Sequence, residues 1–437
     1  MENNLNYQLK KRIKKDNWYL SRSYLHFDLP ISFKKASKIV KNSSIVEKHS
    51  FLPFITFDIK SSKYQLNIET KRKEKVEKIR NISYSSHIDG HIYSYYSLVL
   101  SKCYESKLIE KSLSDNILAF RKLGKSNIDF AKQAFDDIEN NEESSIIALD
   151  FSKFFDTLDH EILKEQWCQV LNVKVLPKDH YKVFKSITKF SRVNRDDVYK
   201  YFTISKNNPK TNNRKKICSI KEFRDNVRGK KLIITNLDNK GIPQGSPISA
   251  LLSNIYMIDF DEIIKNYVDT FNGKYYRYCD DILIIAPLNR KDEVEKFVSD
   301  ESKKLKISLN PDKTEKSEFK YIKGKLKLDK PIQYLGFVFN GEEIFIRPSS
   351  IARYYQKMKK SVSIAKKSRD KINIIRVKNS EKSKKLYKRK LYEKYSHLGK
   401  SNFVTYGLRA KNKMNDSFTI KRQIRKLWKN LEKEIKL

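Results

Sequence analysis

The chain has 437 residues, 39% of them hydrophobic, enough to bury the cores of two or three packed units. Its 92 Lys and Arg against 52 Asp and Glu give a formal net charge of +40, which points to a polyanion and most simply to nucleic acid, although part of the lysine excess matches the bias of an AT-rich genome. Four dispersed cysteines (Cys103, Cys168, Cys218, Cys279) form no CxxC pair and indicate neither a zinc site nor a disulfide framework; no apolar run of about 18 residues occurs, so a cytoplasmic protein without a membrane span is expected.

A helix is expected from Ser32 to Val40, with lysines along one side, and strand-like alternation over 51–70. His26, upstream, reads as a packed or exposed histidine and not as a catalytic one. The charged stretch Glu69 to Lys78 reads as helical, and after the Asp89-Gly90 turn signal a further helix runs from about His91 to Lys107. Residues 116–145 also look helical. Arg80, Arg121, Lys122 and Lys125 could each contact phosphate or simply be solvated.

Residues 144–150 read as a buried strand ending on Asp150, followed by an aromatic loop and a helix from near Asp159 through Trp167. Residues 172–240 are polar and basic, with 207–216 as a loop and Cys218 to Arg224 opening a short helix. In Gly241-Ile242-Pro243-Gln244-Gly245-Ser246-Pro247, Ser246 is the expected cap of a helix carrying Ile248, Leu251, Leu252, Ile255 and Ile258. Asp292 to Lys304 reads as an amphipathic helix, 309–315 as a turn with Lys313, and Gln333 to Phe339 as one strand containing a glycine. Residues 347–437 hold 29 Lys and Arg but 6 Asp and Glu, in helical runs interleaved with aromatics, a composition suited to a duplex backbone.

Asp280 and Asp281 stand between an aromatic strand-like run and an aliphatic one, where a hairpin turns. Asp-Asp is an ordinary turn dipeptide, yet adjacent like charges are unfavourable unless a divalent cation lies between them. Asp150 ends another buried strand. Two such strands meeting in space would gather three carboxylates, the ligand set for two Mg2+ ions in nucleotidyl transfer.

The order LDFSKFFD, GIPQGSPIS, YCDD, NPDKT and YLGF resembles, motif by motif, the palm of reverse transcriptases, over roughly Arg80 to Phe339. The resemblance implies an α+β right-hand polymerase: an N-terminal extension (1–60), fingers and palm with an antiparallel palm sheet (61–345, with a fingers insertion at about 172–240), and a helical basic thumb (346–437). It assigns Asp150, Asp280 and Asp281 to two Mg2+ ions, with Mn2+ as a substitute. Asp150 and Asp280 would bridge both ions, and Asp281 would contribute less. Lys313 would protonate the leaving pyrophosphate. Phe155 would block a nucleotide 2′-hydroxyl, favouring dNTPs. Gln244 and Gly245 would line the nucleotide pocket, Arg80 would contact the triphosphate, and Leu335, Gly336 and Phe337 would grip the primer.

Within the family, the segments YLHFD, CSIKEFR and KYSHLGKSNFVTYGLRA resemble bacterial defence-associated enzymes of the unknown-group lineage, above all the type 2 kind. That likeness implies a structured noncoding RNA template, a cDNA product and a role against phage, with no membrane partner and no oligomeric state specified. A retron enzyme is similar in size, but its Val-Thr-Gly signature is replaced here by Val404-Thr405-Tyr406-Gly407. A template-independent or protein-primed polymerase of abortive-infection type uses the same metal chemistry. A scaffold that kept only the fold is disfavoured by the intact carboxylates and Lys313.

Overall fold

The computed structural model describes residues 18–66, 72–141, 143–322, 324–415 and 417–436. The strands in chain order are β1 (Phe54–Leu66), β2 (Lys73–Tyr84), β3 (Ser144–Asp150), β4 (Ser191–Asn194), β5 (Ile234–Thr235), β6 (Lys274–Tyr278), β7 (Asp281–Ala286), β8 (Glu315–Ile322), β9 (Lys325–Leu328), β10 (Ile332–Tyr334), β11 (Phe337–Phe339) and β12 (Ile344–Ile346). The chain divides into two compact units that interleave in sequence. One gathers Met1–Arg121, Phe151–Lys265 and Val298–Leu309; the other gathers Lys122–Asp150, Asn266–Phe297 and Asn310–Leu437.

The first unit carries a sheet of order β2-β1-β4-β5. β1 and β2 form a long antiparallel ribbon, in register from Ile55 opposite Tyr84 to Leu66 opposite Lys73. The stretch expected to be helical up to Lys78 is therefore a strand from Lys73 onward; residues 67–71 lie outside the described residues. Cross-strand hydrogen bonding overrides the helical bias of a Lys- and Glu-rich run, because β-structure depends on the partner strand more than on local preference. β4 runs parallel to β1, and Leu25, Phe27, Ile55, Val193, Val198, Tyr199, Ile217, Phe223 and Val227 close one core. Part of the polar region 172–240 is thus a packed element that borrows its apolar partners from the N-terminal segment.

The helix His87–Glu110 is longer at both ends than its sequence periodicity suggests. Asp28 accepts hydrogen bonds from the amides of His87 and Ile88, each 3.0 Å, and Ser86 caps the amide of Asp89. These oxygens satisfy amides that the first turn of a helix leaves without partners. His26 is fully buried, and burial pushes its imidazole down to about 3, so it packs as a neutral ring.

The second unit is built on an antiparallel sheet of order β6-β7-β3-β8-β9. β3 and β7 are central, and Ile146, Ile147, Leu149, Ile282, Leu283, Ile284 and Ile285 are buried there. Of the helix expected over 116–145, Asn127–Asn140 forms; it opens on a Ser126–Asp129 capping box and buries Phe130, Phe135 and Ile138. β10, β11 and β12 make a small antiparallel sheet. Helices Pro348–Lys378, Arg389–Tyr395, Phe403–Lys413 and Phe418–Lys436 follow and bury, among others, Tyr354, Met358, Leu391, Val404, Ile424 and Leu427. Among the described residues no helix is long and apolar enough to cross a membrane.

Gly273, which leads into β6, shows how closely this unit is packed. A Cβ added there would lie 2.6 Å from the carbonyl oxygen of Ile285 and 2.7 Å from both Phe271 and Val268. Gly273→Ala is expected to destabilise the protein by roughly 1–3 kcal/mol, read as a lower urea midpoint at unchanged m-value.

Candidate active site

The register of the central strands sets the site. β3 pairs antiparallel with β7 so that Asp150, the last residue of one, lies directly opposite Asp281, the first of the other. β6 and β7 pair as far as Tyr278 opposite Asp281, which leaves Cys279 and Asp280 as a two-residue hairpin loop. Cys279 has φ +61, unusual for a residue with a Cβ. Its carbonyl oxygen accepts a hydrogen bond of 3.0 Å from Nη1 of Arg277, whose side chain is 0% exposed. A buried guanidinium therefore braces the loop that carries the acidic pair. Sequence reasoning missed Arg277; its one signal was a cation in the middle of an otherwise buried strand.

The three carboxylates act on one another. Burial first, then the negative charges of Asp280 and Asp150, push the Asp281 carboxyl up to about 7, and the ammonium of Lys313 pulls it partly back. Lys313 sits on the short 3-10 turn Pro311–Lys313, and its Nζ makes an ion pair with Asp150 Oδ1. The Asn310 amide donates to the Asp150 carbonyl at 2.7 Å, so the lysine turn is tied to the carboxylate it neutralises. Among the described residues no three His, Cys, Asp or Glu side chains are already spaced as a metal cage. The donor chemistry nevertheless fits a hard divalent ion: three carboxylates lie at one end of the central strands, and Asp150 already pairs with a cation there. In this structure Lys313 occupies the position beside Asp150 that a divalent ion would share.

Leu335, Gly336 and Phe337 belong to a hairpin, not to one strand as expected. Tyr334 of β10 pairs with Phe337 of β11, and the turn between them has φ +46 at Leu335 and +91 at Gly336. Two positive φ values suit a two-residue hairpin, and glycine satisfies one of them at no steric cost; leucine at the other hid the turn from view. The Leu335 carbonyl is held by Asn127 Nδ2 at 2.9 Å, and the same amide contacts the hydroxyl of Tyr406 at 2.9 Å. Asn127 is a second positioning residue that sequence reasoning did not find.

The other expected site residues lie in the first unit. Phe155 is half-buried in the single turn Phe154–Thr157, and its carbonyl accepts the amide of Ile242 at 2.9 Å. The carbonyl of Gln244 accepts the Ser83 amide at 2.8 Å, and a Cβ on Gly245, whose φ is +111, would lie 2.5 Å from the Ser83 carbonyl oxygen. The structure therefore brings the Phe155 turn to the Gly241-to-Gly245 loop, and that loop to the end of β2. Arg80, opposite Ile59, lies on the exposed part of the ribbon. Ser246 does not cap the following helix. That helix starts at Ser249, whose hydroxyl donates to the Pro243 carbonyl at 2.7 Å.

A family model described as reverse transcriptase (RNA-dependent DNA polymerase) matches residues 71–339. No curated protein matches the chain. Among solved structures, apo telomerase from Candida tropicalis aligns at 12% identity and a TM-score of 0.42, over 70% of this chain and 49% of that one. The same enzyme truncated from its C-terminal domain gives 12%, 0.39, 63% and 53%; telomerase from Candida albicans with a TWJ fragment of telomeric RNA gives 11%, 0.37, 76% and 54%. The chain thus spans about half the length of these solved chains.

The strain on Asp281 has a measurable consequence. A carboxyl whose folded pKa is raised favours folding most below its unfolded value near 4, and that contribution is lost as the pH rises through about 7. Without divalent ions, Asp281→Asn is therefore expected to raise the melting temperature by a few degrees at pH 8 and much less at pH 5. Equal melting temperatures at pH 8 would show that the carboxylates do not repel one another as described.

Proposed function

The chain belongs to the reverse transcriptase (RNA-dependent DNA polymerase) family, and on that premise we propose that it copies an associated structured noncoding RNA into cDNA at Asp150, Asp280 and Asp281. Residues 71–339 are the domain of an RNA-directed DNA polymerase, a nucleotidyltransferase, and such domains generally use divalent metal ions, Mg2+ above all. The observation that carries the assignment is the β3–β7 register, which sets Asp150 against Asp281 with Asp280 beside them.

Bound Mg2+ supplies activation of the primer 3′-hydroxyl and stabilisation of the departing pyrophosphate. Asp150, Asp280 and Asp281 would hold the ions, with Asp281 contributing less. Lys313, displaced from Asp150, carries the proton that the pyrophosphate receives. Phe155 excludes a ribose 2′-hydroxyl, Gln244 and Gly245 line the nucleotide pocket, and Arg80 meets the triphosphate. Leu335, Gly336 and Phe337 position the primer strand. In this reading 61–345 are fingers and palm, 346–437 the thumb, and 1–60 an extension. The setting is a bacterial cytoplasm, in antiphage defence of the type 2 kind, supported by the segments YLHFD, CSIKEFR and KYSHLGKSNFVTYGLRA.

Asp280→Ala with Asp281→Ala is expected to abolish dNTP incorporation while RNA binding persists; unchanged incorporation refutes the catalytic assignment. Phe155→Ala is expected to raise rNTP use relative to dNTP use in single-nucleotide extension. Sequencing the product together with co-purified RNA tests templating: cDNA complementary to that RNA supports it, whereas sequence unrelated to any bound RNA favours template-independent synthesis.

A further inference from the structure

Arg347 follows β12 directly and precedes the helix Pro348–Lys378. Its backbone amide donates to the Gly336 carbonyl at 3.1 Å, so the residue is fastened to the Leu335-Gly336 turn. Its side chain is half-buried, and its Nε is buried without a hydrogen-bond partner. Among the described residues the guanidinium makes no hydrogen bond or ion pair. Burial and the charge of Arg353 act against it; Asp281 and Glu315 act in its favour from a distance. Arg353 itself is engaged with the Ser349 carbonyl and the Ser350 hydroxyl.

A guanidinium stays protonated under all ordinary conditions and presents a planar fork of donors. Held partly out of water without an acceptor, it carries a desolvation cost that an external anion would offset. Asp281 and Glu315 act on it only through their charge and neither bonds it. The anion must therefore approach from outside the chain, beside the turn that holds the Gly336 carbonyl and within electrostatic reach of Asp281.

We infer that Arg347 binds a phosphodiester of the primer strand near its 3′ end and so sets the position of the terminal nucleotide at the carboxylates. The inference rests on the polymerase reading above and extends it to a residue outside the motifs that carry the family resemblance. A phosphodiester fits better than the triphosphate of an incoming nucleotide because the residue is anchored to the turn assigned to the primer.

The test measures binding of a primer–template duplex by fluorescence anisotropy, without dNTPs, as a function of salt. Arg347→Gln is expected to weaken binding roughly tenfold at low salt and to reduce the slope of log K against log[salt] by about 1, the share of one phosphate contact. Arg347→Lys should keep the slope and lose part of the affinity. A neutral methylphosphonate placed singly along the primer should weaken wild-type binding at one linkage among those nearest the 3′ end, and Arg347→Gln should be insensitive at that linkage. The wild-type half of this scan does not depend on how the variants fold. An unchanged salt slope and an unchanged methylphosphonate pattern in Arg347→Gln would overturn the inference. So would a raised KM for dNTP at unaltered duplex affinity, which would point to the triphosphate. Because binding is read without chemistry, these outcomes stand apart from those of the Asp280→Ala, Asp281→Ala variant, whose retained incorporation would refute the polymerase assignment itself.

Discussion

The carboxylates of Asp150, Asp280 and Asp281 repel one another because the β3–β7 register fixes their neighbours. Asp150 and Asp281 are paired at their strand ends, so their backbones cannot separate without breaking the sheet, and Asp280 follows in the two-residue loop beside them. Several nearby features compensate. Lys313 neutralises Asp150 from a turn that is itself bonded to the Asp150 backbone. Arg277, sealed inside the sheet, holds the carbonyl of Cys279 and keeps the loop in a conformation that a side chain disfavours. The aliphatic core of β3 and β7 provides the rigid base against which this repulsion is held. Electrostatic load of this kind favours a cation beside the carboxylates, a part that Lys313 takes in this structure.

Two kinds of positioning run through the second unit. The acidic loop is braced from within by a charged side chain buried in its own strand. The Leu335-Gly336 turn is braced from outside, by Asn127, whose amide also bonds the Tyr406 hydroxyl, and by the amide of Arg347. Both turns contain a non-glycine residue at positive φ, Cys279 in one and Leu335 in the other. A non-glycine residue at positive φ is sterically costly and persists where surrounding contacts over-determine it. The family resemblance assigns metal to one of these turns and primer to the other, and non-glycine residues at positive φ also occur elsewhere in the unit, at Asn272 and Ser380 among others.

Much of this was legible in the residues. The hairpin around Asp280, the strand ending on Asp150 and the helix after Asp159 all follow from hydrophobic runs bounded by turn residues, signals that depend on local chain alone. The misreadings share one physical cause. β2 carries charges on both faces, so it lacks the period-two alternation of a half-buried strand and owes its form to β1. The core beneath Phe223 and Val227 is completed by Leu25 and Phe27, nearly 200 residues upstream, and no local pattern announces such a pairing. Arg277 resembles a surface residue in sequence and becomes a buried brace only once the sheet surrounds it.

The central position of β3 bears on how the chain acquires its activity during synthesis. β3 leaves the ribosome early, but its two neighbours are β7, which begins at Asp281, and β8, which extends to Ile322. Closing loops of that length before any sheet contact is rewarded slows assembly and makes it depend on long-range pairing. A nascent chain shorter than about 320 residues holds Asp150 with no partner strand on one or both sides. The basic N-terminal half is therefore translated, and free to meet nucleic acid, well before the carboxylates can converge. The sheet around Asp150 is completed late, once β7 and then β8 dock on either side of β3.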